Sequence, residues 1–364
     1  LLYEKIVKPI LFRMNPETAH HLTISGLRIA QAVPGAMAVV RAAYSSPQLP
    51  ELRQTLWGMD FPNPIGLAAG LDKNGEAAKA FSYMGFGFIE VGTVTPRAQN
   101  GNERPRLFRL PEDSALINRM GFNNEGADKM RAYLEKVTRR PIPIAINIGK
   151  NKVTPNEHAV QDYLDCLRIL YDVGDFFAVN ISSPNTPNLR KLQHGDDLRD
   201  LLHAVIAERD RLAKERKAKA KPVVVKIAPD LSDEEIEQCV ETISQAGIDG
   251  IIATNTTIKR EGLKHPNAIE SGGLSGKPLK QRAVEVIRQV YRLTEGRIPI
   301  LGSGGVFTGD DAYEMIRAGA SLVEIYTSFI YRGPTINKTL NQELSNLLRR
   351  DGFTHISEAV GVDA

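Results

Sequence analysis

Cysteine is scarce in this chain. It holds two in 364 residues, Cys166 and Cys239, which excludes a disulfide framework, and each sits in a helix-like pattern that suits a reduced, packed thiol. No run approaches the roughly 18 apolar residues of a membrane-spanning helix, and Lys8-Pro9 interrupts any signal-peptide core. The seven histidines show no metal-ligand spacing, so no bound metal is expected. Net charge is small as well, +3 at neutral pH, too slight a surplus to argue for nucleic acid. That surplus lies in residues 1–45, where Lys5, Lys8, Arg13, Arg28 and Arg41 face only Glu4 and Glu17.

What is present is apolar residues in quantity, 42% against 24% charged, enough for a large core. From residue 64 onward apolar runs recur at 64–69, 86–91, 143–148, 176–181, 222–227, 250–253, 298–301 and 322–326. Helix-period segments separate them at 76–84, 126–137, 158–173, 198–214, 233–246, 279–293, 310–318 and 336–349. Continuously apolar strands alternating with helices indicate an α/β fold with a parallel sheet covered on both faces. Eight such units predict a closed (β/α)8 TIM barrel; an open doubly wound sheet is the alternative that the count disfavours.

The organisation predicted is an N-terminal helical extension (1–45), the barrel (46–350) and a C-terminal tail (351–364). In the extension, Asn15-Pro16 is a helix-start signal. It divides two short amphipathic helices, followed by a softer run broken by Pro34 and Gly35. Such helices are equally a cap on the core or a pair dipping into a bilayer, since amphipathicity alone does not distinguish the two. Residues 46–62, with three prolines, read as a linker with a small hairpin.

Chemistry is expected where the strands end. The three long connections, 95–124, 182–197 and 255–278, all follow strand C-termini. The first strand leads to Ala69, Gly70 and Lys73, small residues beside a cation. The second leads to Thr93 and, after its long loop, to Asn118, Arg119, Met120, Gly121 and Phe122. Asn147 ends the third. The fourth opens into Asn180-Ile181-Ser182-Ser183-Pro184-Asn185-Thr186, whose bland reading is a turn that ends a strand. Lys226 lies inside the apolar fifth strand and needs an anionic partner; no acid is nearer in sequence than Asp230. Thr254, Asn255 and Thr256 end the sixth. Glycines at 272–276 and 302–305, then Tyr326-Thr327, suit a phosphate cradle. No Asp/Glu pair is expected to compete there. Such a mouth suits a planar anionic cofactor, and flavin mononucleotide (FMN) fits.

These motifs resemble the class 2 dihydroorotate dehydrogenases, the membrane-associated, quinone-dependent branch. The resemblance runs from about residue 3 to about residue 340. It is carried in order by AAGLDKNG (68–75), NRMGFNN (118–124), NIGKN (147–151), NISSPNT (180–186), VKIAPDL (225–231), TNTT (254–257) and GGLSG (272–276). It implies oxidation of dihydroorotate to orotate in pyrimidine synthesis, with one FMN per chain and a quinone as acceptor. By resemblance Ser183 is the base that removes the C5 proton while the C6 hydride passes to flavin N5, and Thr186 and Phe122 line the proton exit. Soluble class 1 relatives carry cysteine where Ser183 stands.

The resemblance also implies the ligand sets. The substrate ring would meet Lys73, Asn118, Arg119, Met120, Gly121, Phe122, Asn180, Asn185, Asn255 and Thr256. FMN would meet Ala69, Gly70, Thr93, Asn147, Asn180, Lys226, Thr254, Gly276, Gly305, Tyr326 and Thr327. The quinone head would lie near His20, Arg109 and Tyr326, with residues 1–45 forming a lipid-facing tunnel. Taken on their own, Arg109 reads as a barrel-rim salt bridge and His20 as a helix-surface residue. No obligatory protein partner is expected. The implied location is peripheral, on the cytoplasmic face of a bacterial inner membrane, or the mitochondrial inner membrane if a leader has been lost. Two other readings stay open: a barrel FMN oxidoreductase with a soluble acceptor, and a non-catalytic barrel that binds a phosphate ligand.

Overall fold

Strands buried on both faces must pair on both edges, and the eight apolar runs do so. In the computed structural model, which describes residues 2–364, they close into one parallel barrel. The strands are β1 (Ile65–Leu67), β2 (Phe88–Val94), β3 (Ile144–Ile148), β4 (Phe176–Asn180), β5 (Val223–Ile227), β6 (Gly250–Ala253), β7 (Ile300–Ser303) and β8 (Ala320–Ile325). Closure places Val323 opposite Ile65 and Glu324 opposite Gly66. A helix follows every strand, from Ala78–Ser82 after β1 to Ile336–Arg350 after β8. Helix starts are fixed locally: Ser232 and Glu235 form a capping box at Asp233–Gln245, and Thr308 with Asp311 does the same at Gly309–Ala318.

Alternation along the strands decides what fills the barrel. One set of side chains faces the helices. The other set, Phe88, Ala145, Phe176, Ala178, Val224, Ile252, Leu301 and Leu322, packs together inside. An antiparallel hairpin, Gln54–Leu56 with Met59–Phe61, closes the lower end by adding Phe61 and Trp57 to this cluster. Each inward residue has a successor two positions on, one layer higher. Those successors include Glu90, Asn147, Asn180, Lys226, Thr254, Ser303 and Glu324, all buried. The barrel interior therefore changes from apolar to polar within one layer, just below its C-terminal mouth.

The N-terminal segment holds three helical stretches rather than two. Tyr3–Val7 runs on into Lys8–Leu11, Pro16–Ala30 follows with Asn15 accepting from the N–H groups of Glu17 and Thr18, and Ala36–Tyr44 is a further helix. The last corrects the softer run expected there: Gly35, at φ 81°, starts a new helix directly after Pro34. The segment is tied to the barrel by polar contacts. Glu17, buried, accepts from Arg106 Nη2 at 2.6 Å, and Gln31 bonds the Glu76 carbonyl at 2.6 Å. Its outer side exposes Ile6, Ile10, Leu22, Ile29, Val33 and Val39. No helix among the described residues is long and apolar enough to cross a membrane.

Two of the long connections contain strands of their own. Leu107–Leu110 and Ala115–Asn118 form a hairpin, and Gly273–Gly276 joins its edge to make a three-stranded antiparallel sheet above the mouth. The tail is ordered as a strap. Ile356 and Ala359 are buried, and the Asp363 carboxylate accepts from Arg317 Nε at 2.7 Å. Both cysteines are free and buried, and burial raises both thiol pKa values.

Candidate active site

A cavity of about 1040 Å³, counting its open mouth, occupies the C-terminal end of the barrel. Residues from most of the strand ends line it, including Ala69, Gly70, Lys73, Thr93, Asn118, Met120, Gly121, Phe122, Asn180, Ser183, Asn185, Lys226, Thr254, Asn255, Thr256, Gly276, Gly305, Tyr326 and Thr327. Phe122 holds a left-handed backbone, φ 54°, the kind of strain that gathers at functional sites.

The floor is a hydrogen-bond chain with a direction. Asn147 Nδ2 donates to Glu90 Oε1 at 2.6 Å. Asn147 Oδ1 accepts from the Thr93 hydroxyl at 2.6 Å, Thr93 Oγ1 from Asn180 Nδ2 at 3.0 Å, and Asn180 Oδ1 from Asn255 Nδ2 at 3.3 Å. Every amide is thus oriented from one end. Asn147 is fully buried and stands behind Thr93 rather than in the cavity wall. Expected as a cofactor contact, it also positions Thr93.

Ser183 is 7% exposed, and its Oγ accepts from the Asn185 N–H at 3.3 Å. Asn185 Nδ2 in turn donates to Asn118 Oδ1 at 3.1 Å. The loop that carries Ser183 is stapled by Arg190, which donates to the Ser182 carbonyl, the Thr256 carbonyl and Asp230, each at 2.8 Å. Sequence reasoning missed Arg190, which lies in no motif; its signal was a cation inside a functional-length loop. Asp230, the acid nearest to Lys226 in sequence, is thereby committed to Arg190 and to the Thr257 hydroxyl. The anionic neighbour of Lys226 is Glu324, at 3.9 Å from β8.

An acid pair does exist here, contrary to expectation. Glu90 and Glu324 are each 1% exposed. The signal was period two: each follows an inward apolar residue, Phe88 or Leu322, by two positions. Burial first, then the charge of Glu90, raises the Glu324 pKa well above the carboxylate range, while Lys226 acts the other way. Burying an unpaired carboxylate costs several kcal/mol, and the one cation beside it stands 3.9 Å away, so burial favours the neutral form of Glu324.

Lys73 donates to the Gly70 carbonyl at 2.7 Å. Burial, then the charge of Arg106, lowers its pKa to about 8. Arg119, expected among the substrate contacts, turns its side chain out of the cavity and leaves only its backbone beside Asn118 and Met120. Its guanidinium pairs with Glu270 at 2.8 Å and lies over the Phe108 ring. Among the described residues Arg109 makes no salt bridge. It donates to the carbonyls of Leu11, Phe12 and Met14 at 3.1, 3.3 and 2.8 Å and lies over the Phe12 ring, closing the C-terminal end of the first helical stretch. His20 is half-buried, and burial, then the charge of Lys73, holds its pKa well below the usual value. Tyr326 joins the two regions, since a Cβ at Gly70 would come 3.3 Å from its ring.

The far wall fits a phosphate. A Cβ at Gly276 would meet the Ser114 carbonyl at 2.3 Å, and one at Gly305 would meet the Gly276 carbonyl at 2.8 Å, so only glycine leaves the backbone open there. Ser275 and Thr327 hydroxyls lie 2.8 Å apart. Buried Ser328 Oγ lines the same wall with no partner, as a polar atom awaiting a ligand would.

The sequence of residues 51–348 matches the family model described as dihydroorotate dehydrogenase. The chain belongs to the dihydroorotate dehydrogenase family. Among similar members, a protein of Deinococcus deserti named dihydroorotate dehydrogenase (quinone) is 52% identical over 363 residues, covering 100% of each chain. One of the same name from Deinococcus radiodurans is 52% identical, covering 98% of each. The ligand-free Eimeria tenella dihydroorotate dehydrogenase structure superposes with a TM-score of 0.87 at 41% identity, covering 96% of this chain and 99% of that one. Against this family, the cavity at the barrel mouth is the place to look for the oxidation site.

Proposed function

We propose that this cavity binds FMN against the glycine wall and dihydroorotate above it, and that Ser183 removes the substrate proton. The reaction is oxidation of dihydroorotate to orotate in pyrimidine biosynthesis, with a quinone as electron acceptor; family membership and the names of full-length relatives support it. The observation that carries the site assignment is the convergence of Ser183, Lys73 and the ordered Asn118–Asn185 and Asn180–Asn255 amides on one cavity that also holds the glycine wall. FMN, when bound, supplies the hydride acceptor and relays electrons to the quinone. Thr93, Lys226, Thr254, Gly276, Gly305 and Thr327 would hold it. The amides read the imide edge of the substrate ring, and Lys73 faces its carboxylate.

The test is anaerobic mixing of the purified chain with dihydroorotate. The visible flavin band should bleach and return on adding a ubiquinone analogue, but not fumarate or NAD. Return with fumarate or NAD alone would favour the soluble-acceptor reading. Absence of a flavin band after reconstitution would favour a non-catalytic barrel.

Lys73 adds a pH dependence. With its pKa lowered to about 8, it is cationic below that value and loses charge above it. Orotate affinity, followed by its perturbation of the flavin spectrum, should be steady to about pH 7 and weaken as pH rises through 8. An affinity flat to pH 10 would remove Lys73 as the carboxylate partner.

For residues 1–45 we propose a membrane-facing extension that admits quinone between the helices toward Tyr326. The outward row Ile6, Ile10, Leu22, Ile29 and Val39 with the basic residues beside it supports contact with a lipid surface. His20 and Arg109 lie on the barrel side of that extension. The location that follows is peripheral, at the face of the membrane that holds the quinone.

A further inference from the structure

The polar layer under the cavity contains two carboxyl groups and one cation, and only one carboxyl is supplied with donors. Glu90, on β2, accepts from Asn147 Nδ2 at 2.6 Å and from the Ala69 N–H at 3.4 Å. Glu324, on β8, lies 3.9 Å from Lys226 Nζ of β5. No amide or backbone N–H donates to either Glu324 oxygen, although the residue is 1% exposed and lines the cavity; the Glu90 carboxyl is within hydrogen-bonding reach of it, which requires a proton between the two acids. The remaining polar neighbour is the Ser303 hydroxyl of β7. No other charged group faces the pair from these strands.

The direction of the amide chain tells the two acids apart. Asn147 turns its NH₂ to Glu90, so its own oxygen takes the Thr93 proton, and the order carries through to Asn255. An ionised carboxylate accepts only, and it fixes that order. Two carboxylates so close in a dry site do not both ionise. The proton of the pair is therefore placed on Glu324, the carboxyl to which no amide donates.

We propose that Glu324 is a positioning residue that keeps a proton at the inner end of the cofactor site, so that the charge of Lys226 remains directed at the flavin ring. Were Glu324 ionised, it would neutralise Lys226 at 3.9 Å. The ring would then gain negative charge on reduction without a cation to oppose it. The flavin part of this inference rests on the FMN reading above; the proton assignment does not.

The experiment compares the full chain with Glu324→Gln, which copies the protonated shape and cannot ionise. Infrared difference spectra at neutral pH should show a protonated-carboxyl band in the wild type that is missing in E324Q. Midpoint potentials of the bound flavin, followed spectroscopically against pH, should coincide at low pH. At high pH the wild type should fall below E324Q by a separation equivalent to at least a tenfold change in the reduced-to-oxidised affinity ratio, about 30 mV for a two-electron couple. Linkage gives a third readout. A carboxyl whose pKa is raised by folding supports the fold below its ordinary value of 4.5 and loses that contribution as pH rises. The wild-type melting temperature should therefore decline relative to E324Q above that pH.

Asp72, also buried with its pKa raised to about 7, contributes a band to both proteins; protonated-carboxyl bands of equal intensity in wild type and E324Q overturn the proton assignment. Superimposed potential curves with flavin bound overturn the proposal while leaving the FMN reading intact. A chain that takes up no flavin overturns the flavin part together with that reading. If E324Q does not fold, Glu324→Asp serves in its place: its carboxyl should show the same band and the same downward break.

Discussion

Replacing Ser183 by alanine should leave the flavin bound and lower the rate of flavin bleaching by dihydroorotate about 10²- to 10⁴-fold, the usual contribution of a positioned base. The residue is buried in the cavity wall, and its hydroxyl oxygen accepts from the Asn185 N–H. No carboxylate or imidazole is hydrogen-bonded to it to take its proton onward. A serine so placed is a weak base at neutral pH, so wild-type bleaching should accelerate as pH rises. Ser183→Cys should shift that rise to lower pH, because a thiol ionises more readily than an alcohol. Stopped-flow absorbance under anaerobic conditions measures all three proteins. Wild-type bleaching by the alanine variant would place the base elsewhere in the cavity.

The second large effect is expected at Lys226. Truncation to alanine should weaken FMN retention about 10- to 100-fold, corresponding to the roughly 1.5–3 kcal/mol of a hydrogen bond to a charged group. Lys226 is the cation of the inner layer; its neighbours there are the neutral amides, Ser303 and the two acids. Without it no cation of that layer would face an anionic cofactor. Flavin fluorescence on dilution gives the dissociation constant, and circular dichroism confirms that the barrel has formed. Lys226→Arg should recover part of the loss. Full flavin occupancy in the alanine variant would show that the glycine wall holds the cofactor by itself.

The barrel was legible because its signal is local and repeated: each strand is a continuous apolar run, and each helix carries its own period. The strand-end residues were legible for the same reason, since a barrel places every strand end at one mouth. What escaped was non-local. The small sheet pairs Gly273–Gly276 with Ala115–Asn118, and five residues of glycine, leucine and serine read as a turn until a partner far along the chain is known. Glu90 and Glu324 are single acids within apolar strands, and only closure of the barrel makes them neighbours. Asp230 was near Lys226 in sequence but is taken by Arg190. Arg119 stands within a motif of which Asn118, Met120, Gly121 and Phe122 line the cavity, yet Glu270 and the Phe108 ring draw it outward.

The small sheet has a mechanical consequence. Leu107 and Asn118 are opposed across its hairpin, with Arg109 opposite Leu116 on the same two strands. Arg109 grips the carbonyls of Leu11, Phe12 and Met14, while Asn118 holds Asn185 beside Ser183. The sheet thus holds the N-terminal helices at its edge strand, through Arg109, and the Asn118–Asn185 amide pair at its central strand. The anchor of the extension and the anchor of the cavity amides therefore sit on neighbouring strands of one hairpin, with only a single ladder of hydrogen bonds between them.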